Sequence, residues 1–412
     1  VHPPMQSLFP QVARELEVRA RALGLDKALW QFQFDDLIEV CMKPRGAVIG
    51  WQQGLGKARL CAAIILLRRI KHGLVVMPAY LVEEFTKRLD SASIDKALWK
   101  IIASPEDINN LRQINIISYE RLRRPLRDGS KRTYAKCMRH RFGLVVCDEG
   151  ERLSNSQSDQ SRALAQVDAP VQFISSGTPV ANYPRDMLPI ASYAVGDGVV
   201  GQPFGIRQPF LSSINVKSMK VATPGIEEFK ERHVTLEWSV NEFADTLQEG
   251  AKREVPRIKN VTGYRDWVGQ FVKRRLHREP KVESDVVIPD PISKTLTVDW
   301  DDAHLSHYLT VADEFANWYG KQNPSQRVSN LLLLLARIGA VEAAGNIPQR
   351  IPKVGQHWHG GLTSKQRAII DLACRFTTAG DKTVIFARSP RSLEILEREL
   401  SKQGVESVMF HG

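Results

Sequence analysis

The 412-residue sequence lacks the features of membrane, secreted and fibrous proteins. No apolar run approaches the ~20 residues that span a bilayer, and the longest, the five leucines at 331–335, is soon followed by Arg337. The N-terminus does not have the charged and then apolar pattern of a signal peptide, and there is no internal repeat or low-complexity tract. We therefore expect a soluble protein without a membrane partner, either cytoplasmic or associated with the nucleoid.

Cysteine is scarce, and no two cysteines have the spacing of a metal site. The five residues are Cys41, Cys61, Cys137, Cys147 and Cys374. Without a CxxC pair a structural zinc site is not expected, and an odd, scattered set is typical of reduced thiols in the cytosol. Cys61, Cys147 and Cys374 lie in apolar stretches, so we predict that they pack in the core.

Acidic residues are outnumbered by basic ones. There are 57 Lys and Arg against 46 Asp and Glu, which gives a formal net charge of +11. Such an excess favours an anionic partner, most often nucleic acid. A basic but otherwise ordinary enzyme is the alternative, and charge alone does not separate the two.

Short apolar segments alternate with helical ones between residues 46 and 195. Apolar strands are predicted at 46–50, 73–79, 100–104, 114–119, 142–150 and 171–177. Strands that are apolar throughout and alternate with helices indicate an α/β fold, a doubly wound parallel sheet covered on both faces. Ligands of such sheets bind beyond the carboxyl ends of the strands, where each motif below lies.

The next part of the chain breaks this alternation. Residues 196–260 are rich in Gly and Pro, and we interpret them as a linker with a small inserted element. Helices return after residue 260, with one predicted at 263–276, and the apolar segment 382–389 is predicted to be a buried strand. We expect a second α/β lobe to begin at 261.

A glycine-rich loop follows the first strand and precedes a helix. Gly54, Leu55 and Gly56 lead into Lys57, and such a turn brings backbone N–H groups and the helix N-terminus towards a phosphate. Trp51 stands where the strict pattern has its first Gly, and Ala58 stands where it has the hydroxyl that binds Mg²⁺. A glycine-rich turn without a ligand is the alternative.

Two further polar groups end apolar strands. Asp148 could hold Mg²⁺ and Glu149 could orient and deprotonate water beside a phosphate loop, unless the pair is merely a solvated strand end. Ser176, Gly177 and Thr178 follow the next strand, where small hydroxyl residues can sense the γ-phosphate. Taken alone, that segment could be any turn.

Taken in order, these motifs resemble those of the superfamily 2 helicase-like ATPases, and among them the Swi/Snf-family DNA translocases. GLGK at 54–57 matches the phosphate loop of the family, DEGERLSN at 148–155 resembles its DEAHRLKN, and SGTPVAN at 176–182 resembles its TGTPIQN. In LWQFQ at 29–33, Gln33 takes the place of the adenine-binding glutamine. Further similar segments lie at 77–85, 117–120, 271–275, 335–338, 364–365, 384–386 and 411–412.

The resemblance implies a division of the chain and a nucleotide. A helical segment at 1–45 carries the adenine motif, and a RecA-like ATP-binding lobe occupies 46–195. A linker or insertion at 196–260 precedes an incomplete second RecA-like lobe at 261–412. The implied cofactors are ATP and Mg²⁺, bound between the two lobes, with Asp148 as the metal ligand. The implied ATP-binding residues are Gln33, Gly54, Leu55, Gly56, Lys57 and Ala58, and the implied coupling residues are Ser176, Gly177 and Thr178.

The sequence departs from the family pattern in three ways. Ala58 removes a hydroxyl ligand of Mg²⁺, and Glu151 replaces the histidine of DEAH. The chain stops at Gly412, before the motifs that carry the family's arginine fingers. We therefore expect a fragment of a longer protein, or a degenerate paralogue, and little hydrolysis by residues 1–412 alone.

A basic run separates two of the predicted strands. Nine Lys and Arg lie between residues 121 and 141 against one acid, Asp128. We predict that nucleic acid binds at Arg121, Arg123, Arg124, Arg127, Lys131 and Arg132, the alternative being a mobile solvated loop. A second basic cluster, Lys273, Arg274, Arg275, Arg278 and Lys281, is as readily explained by a structural role.

The sequence thus favours an ATP-dependent motor that moves on double-stranded DNA, with Lys57, Asp148 and Glu149 as its catalytic residues. Further protein domains or subunits are expected as partners. Two alternatives remain. One is a catalytically weak nucleic-acid-binding scaffold of the same fold, and the other is a helicase that separates DNA or RNA strands.

Overall fold

The apolar segments between residues 46 and 177 form parallel strands, as predicted. The computed structural model describes residues 10–92, 94–127, 129–180, 182–197, 202–204, 225–239, 251–287, 289–323, 330–349, 358 and 360–410. The chain divides into two compact units, the first comprising Val1–Val240 and Gly250–Asp290 and the second Asn241–Glu249 and Pro291–Gly412.

The strands of the first unit form one large sheet and one hairpin. In chain order they are β1 Gly46–Trp51, β2 Gly73–Met77, β3 Trp99–Ile101, β4 Ile114–Ser118, β5 Leu144–Cys147, β6 Val171–Ser175, β7 Val234–Ser239, β8 Ala251–Ile258 and β9 Val272–Arg275. The sheet has the order β3-β4-β2-β5-β6-β1-β9, and all its neighbours are parallel. The α/β fold with a parallel sheet is confirmed.

Helices connect the strands and cover the sheet. In the first unit they are α1 Pro10–Ala22, α2 Leu25–Ala28, α3 Gln31–Cys41, α4 Lys57–Leu67, α5 Val82–Ser91, α6 Tyr119–Leu122, α7 Tyr134–Cys137, α8 Asp159–Val167, α9 Met187–Val195, α10 Gly225–His233, α11 Val261–Gly269 and α12 Pro280–Glu283. Since side chains alternate across a strand, Ile49 joins one core with α3 and α4, while Val48 joins another with α8 and α9. Both faces of the sheet are therefore buried.

The first unit extends further along the chain than the sequence indicated. The predicted helix at 263–276 ends at Gly269, and β9 pairs with β1 at the edge of the sheet. Residues 261–290 therefore lie in the first unit, and the longer part of the second unit begins after them, at Pro291. The hydrophobic period could not locate this boundary, because β9 is a short basic strand whose place depends on pairing with β1.

The segment interpreted as a linker also contributes to the core of the first unit. Helix α10 and the hairpin of β7 and β8 lie within 196–260. Phe229 is fully buried, and its ring lies 5.2 Å from that of Trp267 on α11. The rest of this segment is largely outside the described residues.

The described part of the second unit is helical. Its helices are α13 Asp302–Gly320, α14 Leu331–Asn346, α15 Ser364–Thr378 and α16 Pro390–Lys402. The prediction of a buried strand at 382–389 is wrong, because Val384 and Phe386 are 73% and 91% exposed and no strand lies among the described residues of this unit. A strand needs a neighbour for its backbone hydrogen bonds, and none is present there. The motif expected at 411–412 lies outside the described residues.

Two smaller expectations can be compared with the structure. Cys61 and Cys147 are buried, as predicted, whereas Cys374 is only half-buried against the small core of α15 and α16. Within the described residues, no helix is both long enough and apolar enough to cross a membrane.

Candidate nucleotide-binding site

The loop between β1 and α4 is built around two glycines with positive φ. Gly54 has φ 83° and Gly56 has φ 75°, a region that L-residues with a Cβ rarely adopt. A Cβ on Gly56 would lie 2.4 Å from Nε2 of Gln33, so only glycine fits against that side chain. Lys57 then begins α4 and is 8% exposed.

Lys57 points back into the loop. Its ammonium donates to the carbonyl oxygens of Trp51 at 3.1 Å and Gln52 at 3.4 Å. It also lies 3.5 Å from the position that a Cβ on Gly177 would occupy. The predicted coupling turn after β6 is therefore adjacent to the phosphate loop, with Ser176 and Gly177 buried and Thr178 exposed.

Gln33 supports the loop as well as lining the pocket beside it. Its Nε2 donates to the carbonyl oxygen of Leu55 at 2.8 Å, and its Oε1 accepts from the N–H of Trp30 at 3.0 Å. The side chain is 1% exposed. Each end of the amide thus has one partner within the protein, which leaves a second N–H on Nε2 and a second lone pair on Oε1 for a further hydrogen bond. The side chain of Leu55 lies in the core.

The acidic pair lies at the end of β5, next to β6 and one strand away from β1. Ser175 Oγ donates to Oδ1 of Asp148 at 2.9 Å, and Asp148 is 7% exposed. Burial raises the pKa of Asp148, while the hydrogen bond from Ser175 acts in the opposite direction. Glu149 follows with φ 49°, an uncommon value for a residue other than glycine, which places its half-buried carboxyl at the pocket.

Glu151, which replaces the histidine of the family motif, links the acidic pair to the coupling turn. Its Oε2 accepts from Ser176 Oγ at 2.6 Å. Burial, then the charge of Glu151 and a hydrogen bond with it, and the charge of Asp148 raise the pKa of Glu149 to about 7. The turn after β5 therefore brings the carboxyl groups of Glu149 and Glu151 close enough to interact, which their nearness in the sequence did not show.

These side chains line one cavity of about 460 Å³ in the first unit. The predicted residues that contribute to it are Gln33, Gly54, Gly56, Lys57, Ala58, Asp148 and Glu149. Sequence reasoning missed Arg59, Glu84 and Arg88, which also line it. The i,i+4 spacing of Glu84 and Arg88 indicates an ion pair on α5, but no local signal places that pair at the loop.

Mg²⁺ fits the donors of this cavity. Asp148 has a second carboxylate oxygen beside the one that Ser175 holds, and Glu149 is its neighbour. Among the described residues no group of three His, Cys, Asp or Glu could enclose a metal ion. This agrees with Mg²⁺, which binds through one or two carboxylates together with phosphate oxygens and water. Ala58 offers it no oxygen.

The second basic cluster is used inside the first unit. Arg275 donates to both carboxylate oxygens of Asp36 at 2.9 and 2.5 Å, which raises its pKa, and Lys273 pairs with Asp36 at 3.4 Å. Arg274 donates to the carbonyl oxygens of Gly50 and, at 3.1 Å, Gly177. These contacts favour the structural role that the sequence left open.

The first basic run leaves the carboxyl end of β4 and is mostly exposed. Its chain forms α6, then a loop closed by a bridge between Pro125 and Thr133, then α7. Arg121 donates to the carbonyl oxygen of Ala103 and covers the ring of Tyr134. Of the six residues predicted to bind nucleic acid, the other five are exposed: Arg123, Arg124, Arg127, Lys131 and Arg132.

The run begins at the same edge of the sheet as the cavity. The basic run follows β4, and most of the residues that line the cavity follow β1, β2 and β5 of the same parallel sheet. Arg152, just after the acidic pair, bonds Glu120 of α6 at 3.1 Å. The two candidate sites therefore adjoin.

The parallel sheet and the loop at its carboxyl edge place the chain among the α/β proteins that bind ligands at that edge. The family model described as the SNF2-related domain matches residues 37–338, more than two thirds of the sequence. The chain therefore belongs to the SNF2-related domain family, and the resemblance drawn from its motifs is confirmed.

Several curated proteins are similar to parts of the chain. The DNA repair and recombination protein RAD54B of Gallus gallus is 32% identical over 177 residues, and that of Mus musculus is 30% identical over 211 residues. The matches cover 38% and 46% of this chain but only 18% and 22% of those relatives, about a fifth of their length. A solved Sulfolobus solfataricus SWI2/SNF2 ATPase core in complex with dsDNA has a TM-score of 0.43 and 16% identity, covering 90% of this chain and 70% of that one.

Proposed function

We propose that the chain is the core of an ATP-dependent motor that moves on double-stranded DNA. The observation that carries the proposal is the convergence of Lys57, Asp148 and Glu149 on one cavity at the carboxyl edge of the sheet. Family membership supports ATP as the nucleotide. A phosphate at the loop would receive backbone N–H groups, the N-terminus of α4 and the ammonium of Lys57.

Each residue has a chemical role in this proposal. Lys57 moves from the carbonyl oxygens of Trp51 and Gln52 to the β- and γ-phosphates. Asp148 holds Mg²⁺, which neutralises phosphate charge when bound. Glu149 orients the attacking water and accepts its proton. Glu151 and Ser176 connect this carboxyl group to the turn of Gly177 and Thr178, so that loss of the γ-phosphate changes their contact.

Duplex DNA is proposed as the partner of the basic run. The RAD54B relatives are named as DNA repair and recombination proteins, and the exposed arginines have the charge and the freedom to contact phosphates. The bond between Arg152 and Glu120 offers a short connection from the acidic pair to this surface. Further protein domains or subunits would complete the motor.

Two competing functions predict different results. A catalytically weak scaffold is favoured by Ala58, which supplies no metal ligand, and opposed by the intact Lys57, Asp148 and Glu149. A strand-separating helicase would use the same nucleotide site but would separate the strands of DNA or RNA. Activity measurements separate all three.

The nucleotide site is tested by replacing Lys57 with Ala. The loss of the main positive charge facing the phosphates should weaken ATP binding about 10- to 100-fold in calorimetry. The matched control is Lys71→Ala, which removes an exposed lysine at the opposite edge of the sheet and should leave the affinity unchanged. Equal ATP affinity in Lys57→Ala and wild type would refute the site.

The motor is tested with the full-length protein that contains this chain. A translocase should displace the third strand of a DNA triplex when ATP is hydrolysed, without separating a forked duplex, and Glu149→Gln should stop the displacement. Separation of the fork would instead support a helicase. Duplex binding without turnover would support the scaffold.

A further inference from the structure

The segment that follows β9 reaches the phosphate loop through three hydrogen bonds. The N–H of Gln52 donates to the carbonyl oxygen of Arg275 at 3.0 Å, and the N–H of His277 donates to Oε1 of Gln52 at 2.6 Å. Nε2 of His277 lies 2.6 Å from the carbonyl oxygen of Gln53. Because a carbonyl oxygen only accepts, Nε2 carries the proton in this contact.

These contacts extend the pairing of β9 with β1 into the loop. The strand register ends with Trp51 opposite Arg275, and the hydrogen bond from Gln52 continues the ladder by one residue. The chain then turns, and the ring of His277 makes the next contact, with the carbonyl oxygen of Gln53, where the loop leaves the sheet. The phosphate loop thus contacts a residue more than 220 positions away in the sequence.

The planar peptide bond between Gln53 and Gly54 relates the contact with His277 to phosphate binding. The described residues contain no cis peptide bond, so the carbonyl of Gln53 and the N–H of Gly54 point in opposite directions. Holding the carbonyl towards His277 therefore holds the N–H of Gly54 away from it. Because Gly54 also lines the cavity, its N–H is a candidate donor to an anion there.

We propose that His277 is a positioning residue of the phosphate loop, which fixes the peptide plane between Gln53 and Gly54 so that the N–H of Gly54 is presented to the nucleotide phosphates. This inference rests on the proposed function, since it assumes that the loop binds phosphate. It goes beyond that function by assigning part of the affinity for phosphate to a residue outside the loop and its helix.

The substitutions His277→Ala and His277→Gln test the inference, with affinities for ATP, ADP and AMP measured by calorimetry. Loss of one orienting hydrogen bond should weaken ATP and ADP binding by about three- to tenfold, with little effect on AMP, which lacks the β- and γ-phosphates. Gln places an N–H donor near the position of Nε2 and should restore most of the affinity. If the alanine variant does not fold, His277→Phe keeps the ring without the donor.

His72→Ala is the matched control. Nδ1 of His72 also contacts a backbone carbonyl oxygen, that of Arg112 at 3.1 Å, but His72 precedes β2 at the opposite edge of the sheet. This variant should bind all three nucleotides as the wild type does.

The outcomes separate this inference from the proposed function. A wild-type protein that binds no ATP would overturn both. A wild type that binds ATP with unchanged affinity in the His277 variants would overturn only the role of His277. An equal loss for ATP and AMP would also overturn that role, because it would show a general effect on the fold.

Discussion

Single residues decide how far the site can follow the family pattern. Glu149 adopts a left-handed backbone conformation that costs free energy in a residue with a Cβ, and this conformation places its carboxyl at the cavity. Ala58 lies in the same cavity, in the first turn of α4, where the family pattern has a hydroxyl residue. The first of these features gives the site a carboxyl group, and the second removes the hydroxyl oxygen that the family pattern has at this position.

Restoring the hydroxyl should strengthen the metal-dependent part of nucleotide binding. In Ala58→Ser we expect ATP affinity in the presence of Mg²⁺ to rise a few-fold, because one oxygen ligand replaces a water. Affinity measured in EDTA should not change, since the hydroxyl acts through the metal. An equal gain with and without Mg²⁺ would contradict the placement of Asp148 and Ala58 around a common ion.

At the scale of secondary-structure elements, ion pairs join the beginning of the first unit to its end. Asp36 on α3 is 1% exposed and accepts two hydrogen bonds from Arg275 on β9. The same helix carries Gln33 against the phosphate loop, and the same strand pairs with β1. The pairs therefore hold together two elements that both support the cavity.

Removing one partner of the buried pair should be costly. Asp36→Ala leaves Arg275 without its buried carboxylate, and we expect a loss of about 3–5 kcal/mol in the free energy of unfolding, measured with denaturant. Asp290→Ala breaks the exposed pair with Arg278 and should leave this free energy almost unchanged, because water and salt screen an exposed pair. Similar losses in the two variants would show that the buried pair is not holding α3 to β9.

At the scale of the whole molecule, some basic residues have partners within the protein and others are exposed to solvent. Lys273, Arg274 and Arg275 of the second basic cluster are bound within the protein, whereas the run after β4 presents exposed arginines and lysines. Since the overall charge is +11, much of the field available to an anionic partner comes from this run.

The salt dependence of duplex binding measures this surface. Each phosphate contact contributes roughly 0.9 to the slope of log K against log salt, so replacing Arg123, Arg124 and Arg127 with Ala should flatten the slope by at most about three units. ATP affinity should not change, because none of the three lines the cavity. The charge-matched control replaces three exposed basic residues elsewhere with Ala: Arg14, Lys27 and Lys71. An identical loss of slope in this control would mean that net charge, not the run, binds DNA.

The sequence alone determined the parallel sheet and most of the cavity. Apolar strands that alternate with helices can be buried only in a doubly covered sheet, and the loop at Lys57 and the acids at 148–149 each follow such a strand directly. Because parallel strands end at one edge, local order along the chain was enough to bring these groups together. Their chemical roles remain predictions until they are measured.

The tertiary structure decided which residues pair over long distances. No local pattern could identify a partner for Arg275 or His277, since Asp36 and Gln53 lie more than 220 residues away. It also predicted a strand at 382–389 from composition, although strand formation depends on a neighbour that the apolar pattern cannot supply. Short-range patterns encode burial and backbone shape, whereas ion pairs and strand neighbours depend on which distant segments the fold brings into contact.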